Sequence, residues 1–345
     1  MRTSRKLTQV IFSLFALALM SAAAMAADPG QPYPPTSEVS DQKAGSVLFY
    51  NIYTSSGSGA PNVNTRINIT NTSTTSGAFV HLFFVAEGCS VADSYICLTP
   101  AQTASFTTAD IDPGTTGYIV AVATDINGCP KLFNHLIGDE YVKFSTGQAA
   151  NLGAEAFARL HNPGVDPLPP APGQVEAPWC NTNDSEVSLV FDGTAGRYNR
   201  VPRVLAVSNI MSNLDGNQTY IIINRVGGSL ATGASSVGVL FGLLYDDAES
   251  AYSFSLPSGG CQTKGFLTNS FPRVTFGFTN LISQGRSGWM KFYNNAADTG
   301  ILGASINVNP NASSNPGAFN GGHNMHKLTL SATNTYTVPV FPPTC

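Results

Sequence analysis

The chain is short of charge: only 11% of its 345 residues are Asp, Glu, Lys or Arg, and it holds just two tryptophans. There are 17 basic side chains against 21 acidic ones. Three of the bases (Arg2, Arg5 and Lys6) fall in a segment read below as a removable leader. Setting these 3 of the 17 aside leaves 14 bases against 21 acids, a net charge of −7. Phosphate binding needs a Lys/Arg excess, so the simplest nucleic-acid reading is excluded. No C-x-x-C pair occurs, which removes the common zinc frameworks. Nor is there a G-x-S-x-G nucleophile elbow, since Gly233–Gly238 has one residue too many. With 43% apolar residues, disorder of the whole chain is excluded as well.

What is present begins with an export signal. Met1–Lys6 carries three positive charges, Leu7–Met20 is apolar, and Ala22–Ala26 ends in Ala-Met-Ala. These are the three parts of a secretory signal peptide, with the cut expected between Ala26 and Ala27. The apolar core is shorter than the ~20 residues of a spanning helix. No later run reaches that length, so no transmembrane helix is expected in the mature chain. The expected location is secreted, extracellular or cell-surface, with the periplasm also open. The six cysteines (Cys89, Cys97, Cys129, Cys180, Cys261 and Cys345) then read as disulfides. Six cysteines allow about 15 connectivities. The expected set is Cys89–Cys97 across a short loop, Cys261–Cys345 tying down the C-terminus, and Cys129–Cys180 by subtraction.

The fold class expected is all-β: two tandem β-sandwich domains, Ig-like or jelly-roll-like, related by internal duplication. The division is 1–26 signal peptide, 27–43 flexible leader, 44–161 first sandwich, 162–184 Pro-rich connector and 185–345 second sandwich. Short runs rich in Val, Ile, Phe, Tyr and Thr, separated by Gly, Asn, Ser and Pro, carry that reading. Thr65–Asn71 alternates, with Ile67 and Ile69 facing inward. One piece, Gly147–Leu160, reads as a helix, with Ala150, Ala154, Phe157 and Leu160 on one face. The halves align at Ser46–Ser55 with Arg203–Ser212, Thr65–Asn71 with Thr219–Arg225, and Val80–Val85 with Val239–Leu244. The best match sets Ile111–Tyr118 (IDPGTTGY) against Ile282–Trp289 (ISQGRSGW), an Ile, then G-x-x-G, then an aromatic opening a strand. That alignment predicts that Tyr118 and Trp289 pack in the core in the same way.

The runs DIDPGTTGYIVAVA (Asp110–Ala123), LIGDEYVKF (Leu136–Phe144), NLGAEA (Asn151–Ala156), GHNMHKLTL (Gly322–Leu330) and VPVFPPTC (Val338–Cys345) carry a resemblance. Through them the chain resembles a group of exported bacterial proteins without an assigned activity, along essentially its whole mature length. The resemblance implies a bacterial, exported setting and no functional residues.

Candidate sites are few. Asp298-Thr299-Gly300 matches the aspartic-protease tripeptide, but that chemistry needs two carboxylates and the first half has no second copy. His323 and His326 form an H-x-x-H, yet along one strand their rings point to opposite faces, and a metal needs a third ligand. Asp110 with Asp112, Asp139 with Glu140, and Asp246 with Asp247 and Glu249 could give oxygens to calcium, although none has EF-hand spacing. Calcium is the one cofactor considered. Trp179 is the candidate for stacking on a sugar ring. Arg197, Arg200 and Arg203 read as a solvated strand entry. The surface is Asn, Thr, Ser and Gly more than charge, which favours strand-edge pairing. The function expected is therefore a non-enzymatic structural, adhesive or binding protein. Its expected partners are a second copy through strand edges, or a neutral polysaccharide. A glycan-active enzyme is the alternative, and an outer-membrane β-barrel a third reading.

Overall fold

The computed structural model describes residues 39–57, 63–145, 148–162, 180, 184–256, 259–268, 271, 277, 280–294, 297–311, 318 and 320–345. The expected signal peptide, residues 27–38 of the expected leader, most of the expected connector with Trp179, and all but Gly277 of the expected strand Val274–Phe278 lie outside the described residues.

Among the described residues there are strands and short 3-10 turns but no α-helix. The first half holds β1 (Val47–Thr54), β2 (Asn64–Asn71), β3 (Ala78–Ala86), β4 (Val91–Leu98), β5 (Thr103–Thr107), β6 (Thr116–Thr124), β7 (Leu136–Lys143), β8 (Ala149–Gly153) and β9 (Glu155–Phe157). After the connector come β10 (Glu186–Phe191), β11 (Pro202–Met211), β12 (Gln218–Arg225), the short β13 (Gly228–Ser229) and β14 (Gly233–Ala234), β15 (Leu240–Asp246) and β16 (Ala251–Leu256). The chain ends with β17 (Gln262–Phe266), β18 (Ser287–Tyr293), β19 (Ile301–Val308), β20 (Gly321–Asn324), β21 (His326–Leu330) and β22 (Asn334–Pro339).

The first sandwich pairs a five-stranded sheet, β4-β3-β6-β1-β9, with a four-stranded sheet, β5-β2-β7-β8. The second pairs β16-β15-β18-β11-β21 with β17-β12-β19-β20. With β13 and β14 set aside as an insertion, strand for strand the two orders are the same. Even an irregularity recurs: β1 shifts register on β6 between Tyr50 and Tyr53, and β11 shifts on β18 between Val207 and Ile210. These are the positions that the sequence alignment sets opposite one another.

The G-x-x-G motif shows why both halves keep it. Gly114 and Gly285 have φ of 79° and 72°, a left-handed turn conformation that side chains with a Cβ rarely adopt. Gly117 and Gly288 lie against the carbonyls of Val85 and Tyr245, where a Cβ would come within 1.9 and 2.5 Å of oxygen. The motif turns the chain and then lets it enter a tight ladder.

Four apolar layers hold the molecule together. Leu48, Tyr50, Ile67, Ile69, Leu82, Phe84 and Ile119 fill the first sandwich, and Leu205, Val207, Ile221, Ile223, Leu244, Met290 and Phe292 fill the second. A third layer lies on the outer face of the first five-stranded sheet. There Phe49, Phe83, Val85, Tyr118 and Val120 meet Val187, Leu189, Phe191, Tyr336 and Val338 of a separate cover sheet, β10-β22-β13-β14. Both faces of β1 are therefore occupied, which explains why all eight of its residues are buried. The cover sheet is drawn from residues placed by sequence in the second domain, including both ends of that stretch. The fourth layer joins the sandwiches, with Ile52, Val142, Ala150 and Leu152 against Ile222, Ala304, Ile306 and Val308.

Two expectations are corrected here. Gly147–Leu160 is not a helix. Its described residues include β8 and β9, with Ala150, Leu152, Ala154 and Ala156 all buried at a period of two. Alanine at 150 and 154 fits either period, and tertiary packing selects the strand. The disulfides are Cys89–Cys261, Cys97–Cys345 and Cys129–Cys180. Only the last matches expectation. Cys89 and Cys97 do not close a short loop because the residues between them form β4, and an extended strand separates its ends by about 20 Å. Cys89, in the turn before β4, instead reaches Cys261 at the start of β17 and bolts the two sandwiches together. Cys97 holds the C-terminal tail at Cys345, so neither end of the expected Cys261–Cys345 pair was free for it.

Candidate functional site

The sandwiches meet at the edge strands β8 and β20, where Gly322 packs on Ala150 and Leu152. A side chain at residue 322 would crowd both neighbours. Beside this contact a cleft of about 760 Å³ opens between residues 39–42, β8, β20 and β21. Asp41, Gln42, Asn151, His323, Asn324, His326 and Lys327 are among its lining residues.

The cleft floor is fixed by a polar seam crossing the interface. The Asn324 amide donates to Asp41 Oδ2 at 2.9 Å and to the Gly153 carbonyl at 2.7 Å. Its Oδ1 accepts from Asn51 Nδ2 at 2.8 Å. The Asn51 carbonyl in turn accepts from Asn224 Nδ2 at 2.8 Å and Gln262 Nε2 at 3.2 Å. Gln262 Nε2 also donates to the Gly117 carbonyl and to Asn224 Oδ1. Asn51, Asn224 and Gln262 are fully or nearly fully buried, so their amides depend on partners inside the protein; the Gln262 Nε2 group finds them, while its Oε1 has none among the described residues. The seam gives the junction a fixed geometry as well as apolar adhesion.

The charged groups around the cleft are committed. Lys327 Nζ lies 2.7 Å from Glu155 Oε1, joining β21 to β9 across the interface. Glu155 is completely buried, and burial pushes its pKa up to about 7 against the pull of Lys327. Glu140, on β7, is equally buried and accepts from the Ile52 amide. Burial raises it well above the carboxylate range, with Glu155 and Asp139 adding to the rise. This pair of carboxyl groups is closed off from solvent and cannot reach a substrate.

His323 and His326 come together more closely than strand alternation predicts. The chain leaves β20 at Met325, which is buried and donates its N–H to the Gly303 carbonyl, before β21 begins. The break brings the imidazole centroids to 5.9 Å instead of to opposite faces. His323 lies by the Ser305 hydroxyl and His326 by that of Ser208. Burial, then the neighbouring His326, holds the His323 pKa below the ordinary imidazole value. Among the described residues, no three His, Cys, Asp or Glu side chains converge as a metal site.

The acidic candidates are separated along the chain and engaged in turns. Asp110 accepts from Thr107, and Asp112 from Tyr53 and Thr115. Asp246 accepts the Ala248 and Ser250 amides, while Asp247 pairs with Arg286 at 2.5 Å. Glu249 sits in the same turn with φ of 67°. Asp298 accepts from the Ala332 amide and faces Arg203 at 3.5 Å, again a turn. Arg197 and Arg200 both fold back on Asp192. Trp179 lies outside the described residues.

Tyr118 and Trp289 do not pack alike. Tyr118 is buried under the cover sheet, stacked on Phe49, with its hydroxyl donating to the Arg225 carbonyl. Trp289 is 37% exposed and stacks on Tyr245 at 4.7 Å. Their backbone positions are equivalent, but the cover sheet lies on the first five-stranded sheet and not on the second.

Sequence reasoning missed Asp41, Gln42, Asn151, Asn324, Glu155 and Lys327. The available signal was the pair of runs NLGAEA and GHNMHKLTL, which the fold brings to the same cleft. No family model matches this chain, and no curated protein matches it. Among solved structures, a crystal structure titled Thermotoga maritima 1070 is similar at a TM-score of 0.25 and 10% identity, covering 32% of this chain and 92% of that one. A structure of infectious bursal disease virus, Gt strain, gives a TM-score of 0.17 and 10% identity, covering 86% of this chain and 75% of that one.

Proposed function

We propose that this is an exported, non-enzymatic protein with an adhesive or binding role, and that its inter-sandwich cleft takes a neutral, polyhydroxylated ligand such as a polysaccharide segment. The observation that carries the reading is the chemistry of the cleft. It lies at a junction between domains, where binding sites concentrate. Asp41 is engaged by Asn324 and Lys327 by Glu155, leaving amide, imidazole and backbone groups as the main chemistry offered to a ligand. Such groups hydrogen-bond hydroxyls without requiring a charge. The three disulfides and the signal-like N-terminus support export, and the matching strand orders support an internal duplication. The burial of Glu140 and Glu155 supports the non-enzymatic reading over hydrolysis.

The test is titration calorimetry of the mature protein with a panel of neutral oligosaccharides, repeated on Asn151→Ala and His323→Ala. Binding that weakens roughly tenfold in either variant, about 1.4 kcal/mol, is the expected result. No binding across the panel, or release of reducing sugar, overturns the proposal.

A further inference from the structure

The two sandwiches share a strand order but not the protection of their five-stranded sheets. In the first, the edge strand β4 is flanked by the C-terminal tail. Tyr95 donates to the Phe341 carbonyl, Phe341 packs edge-on against Tyr95 and His81, and the Cys97–Cys345 disulfide fixes the tail in place. In the second, the equivalent edge is β16, and no described strand pairs with its outer side.

β16 carries none of the devices that block edge pairing. Its sequence, AYSFSL, has no charge and no proline, and its ladder with β15 runs from Ala251 to Leu256 without a register shift. Ala251, Ser253 and Ser255 are exposed, whereas Phe254 and Leu256 are buried in the core and Tyr252 packs against it. Small side chains on the solvent face leave room for a neighbouring backbone at strand spacing. Other edges of the two sandwiches are shorter or already engaged. β9 has three residues, β8 lies against β20, and β17 is held to the first sandwich through Lys264–Glu87 and the adjacent Cys89–Cys261 bond.

We infer that β16 is a self-association edge, at which a second copy of this chain adds its own β16 antiparallel across a two-fold axis. This inference does not depend on the ligand reading of the cleft. The pleat requires cross-strand partners to share a face, so the axis passes through a residue and not between two. An axis at Ser253 sets Ala251 against Ser255 on the solvent face and Tyr252 against Phe254 on the core face. The strand is thus complementary to its own antiparallel image, as an isologous interface requires. Pairing joins two five-stranded sheets into one of ten strands and satisfies the backbone groups on the side of β16 that no described strand pairs.

The experiment is sedimentation velocity on mature protein through a dilution series, with the Ser253→Lys/Ser255→Lys double variant alongside. The wild type is expected to show a dimer. In the variant, like charges meet across the axis and self-association falls at least about tenfold. Ser253→Cys provides a second readout, since the described cysteines are all paired. Mild oxidation should link two copies through that one added thiol, and this readout does not depend on the lysine variant folding well. A wild type that stays monomeric throughout overturns the inference. So does a dimer or filament that persists unchanged in a folded double-lysine variant.

Discussion

At the scale of single residues, buried polar groups do most of the specifying. Asn51 sits where β1 slips its register on β6, and its amide and carbonyl engage Asn324, Asn224 and Gln262. Asn51→Ala should cost about 2 kcal/mol, because partner groups are left buried without a hydrogen bond. Urea unfolding of the two proteins measures this directly. Glu155 makes stability depend on pH in a defined direction. Its pKa rises from an ordinary 4.5 to about 7 in the folded protein, so folding favours the protonated form. Its contribution is complete below pH 4.5 and is lost as pH climbs to 7. Glu140, raised by the same cause, acts in the same direction. Relative to wild type, Glu155→Gln should therefore gain up to roughly 3 kcal/mol between those limits. Paired melts at pH 4.5 and just above pH 7 test the sign; a constant difference between the two proteins contradicts it.

At the scale of elements, the recurring G-x-x-G offers a matched comparison. Gly117→Ala and Gly288→Ala each push a methyl group into a carbonyl of the neighbouring strand, Val85 or Tyr245. Each should destabilise by about 2 kcal/mol or more, as steric conflict in a tight ladder does. Gly117 should be the more sensitive, since its strand lies between two other layers, and thermal melts of the two variants rank them. The motif was legible in sequence because glycine at a turn and glycine at a close approach both leave a visible mark. The helix expected at Gly147–Leu160 shows the opposite case. Alanine commits to no period, and only contact with β1, β7, β20 and the cover sheet decides the outcome. The cysteine pairing was obscured for a related reason. Val91–Leu98 lacks a clear apolar alternation, so the sequence between Cys89 and Cys97 reads as a loop although it is the strand β4.

At the scale of the whole molecule, two sandwiches of the same plan are made unequal by what lies on them. The cover sheet, the C-terminal tail and the Cys89–Cys261 bond all bind the second half of the chain to the first. Thermal unfolding should therefore be a single transition, with calorimetric and van't Hoff enthalpies in agreement. Two resolved transitions would show independent sandwiches. Replacing Cys89 and Cys261 by Ala should lower stability by roughly 2–4 kcal/mol, since that bond closes a 172-residue interval and links the two sandwiches directly. Thiol titration of denatured, unreduced protein should detect no free cysteine, and two or more would contradict the disulfide set.

Composition and local pattern were enough to establish an all-β, disulfide-bonded chain with a recurring strand motif. Each of those properties leaves a mark within a few residues: alternation, turn glycines, paired-looking cysteines. The cover sheet, the disulfide partners of Cys89 and Cys97, the cleft and the exposed edge were decided only in three dimensions. They depend on which surface one strand presents to another far along the chain. Tyr118 and Trp289 make the distinction concrete. They occupy equivalent positions in equivalent strands, and one is buried while the other meets solvent because β10 and β22 cover the first five-stranded sheet and not the second.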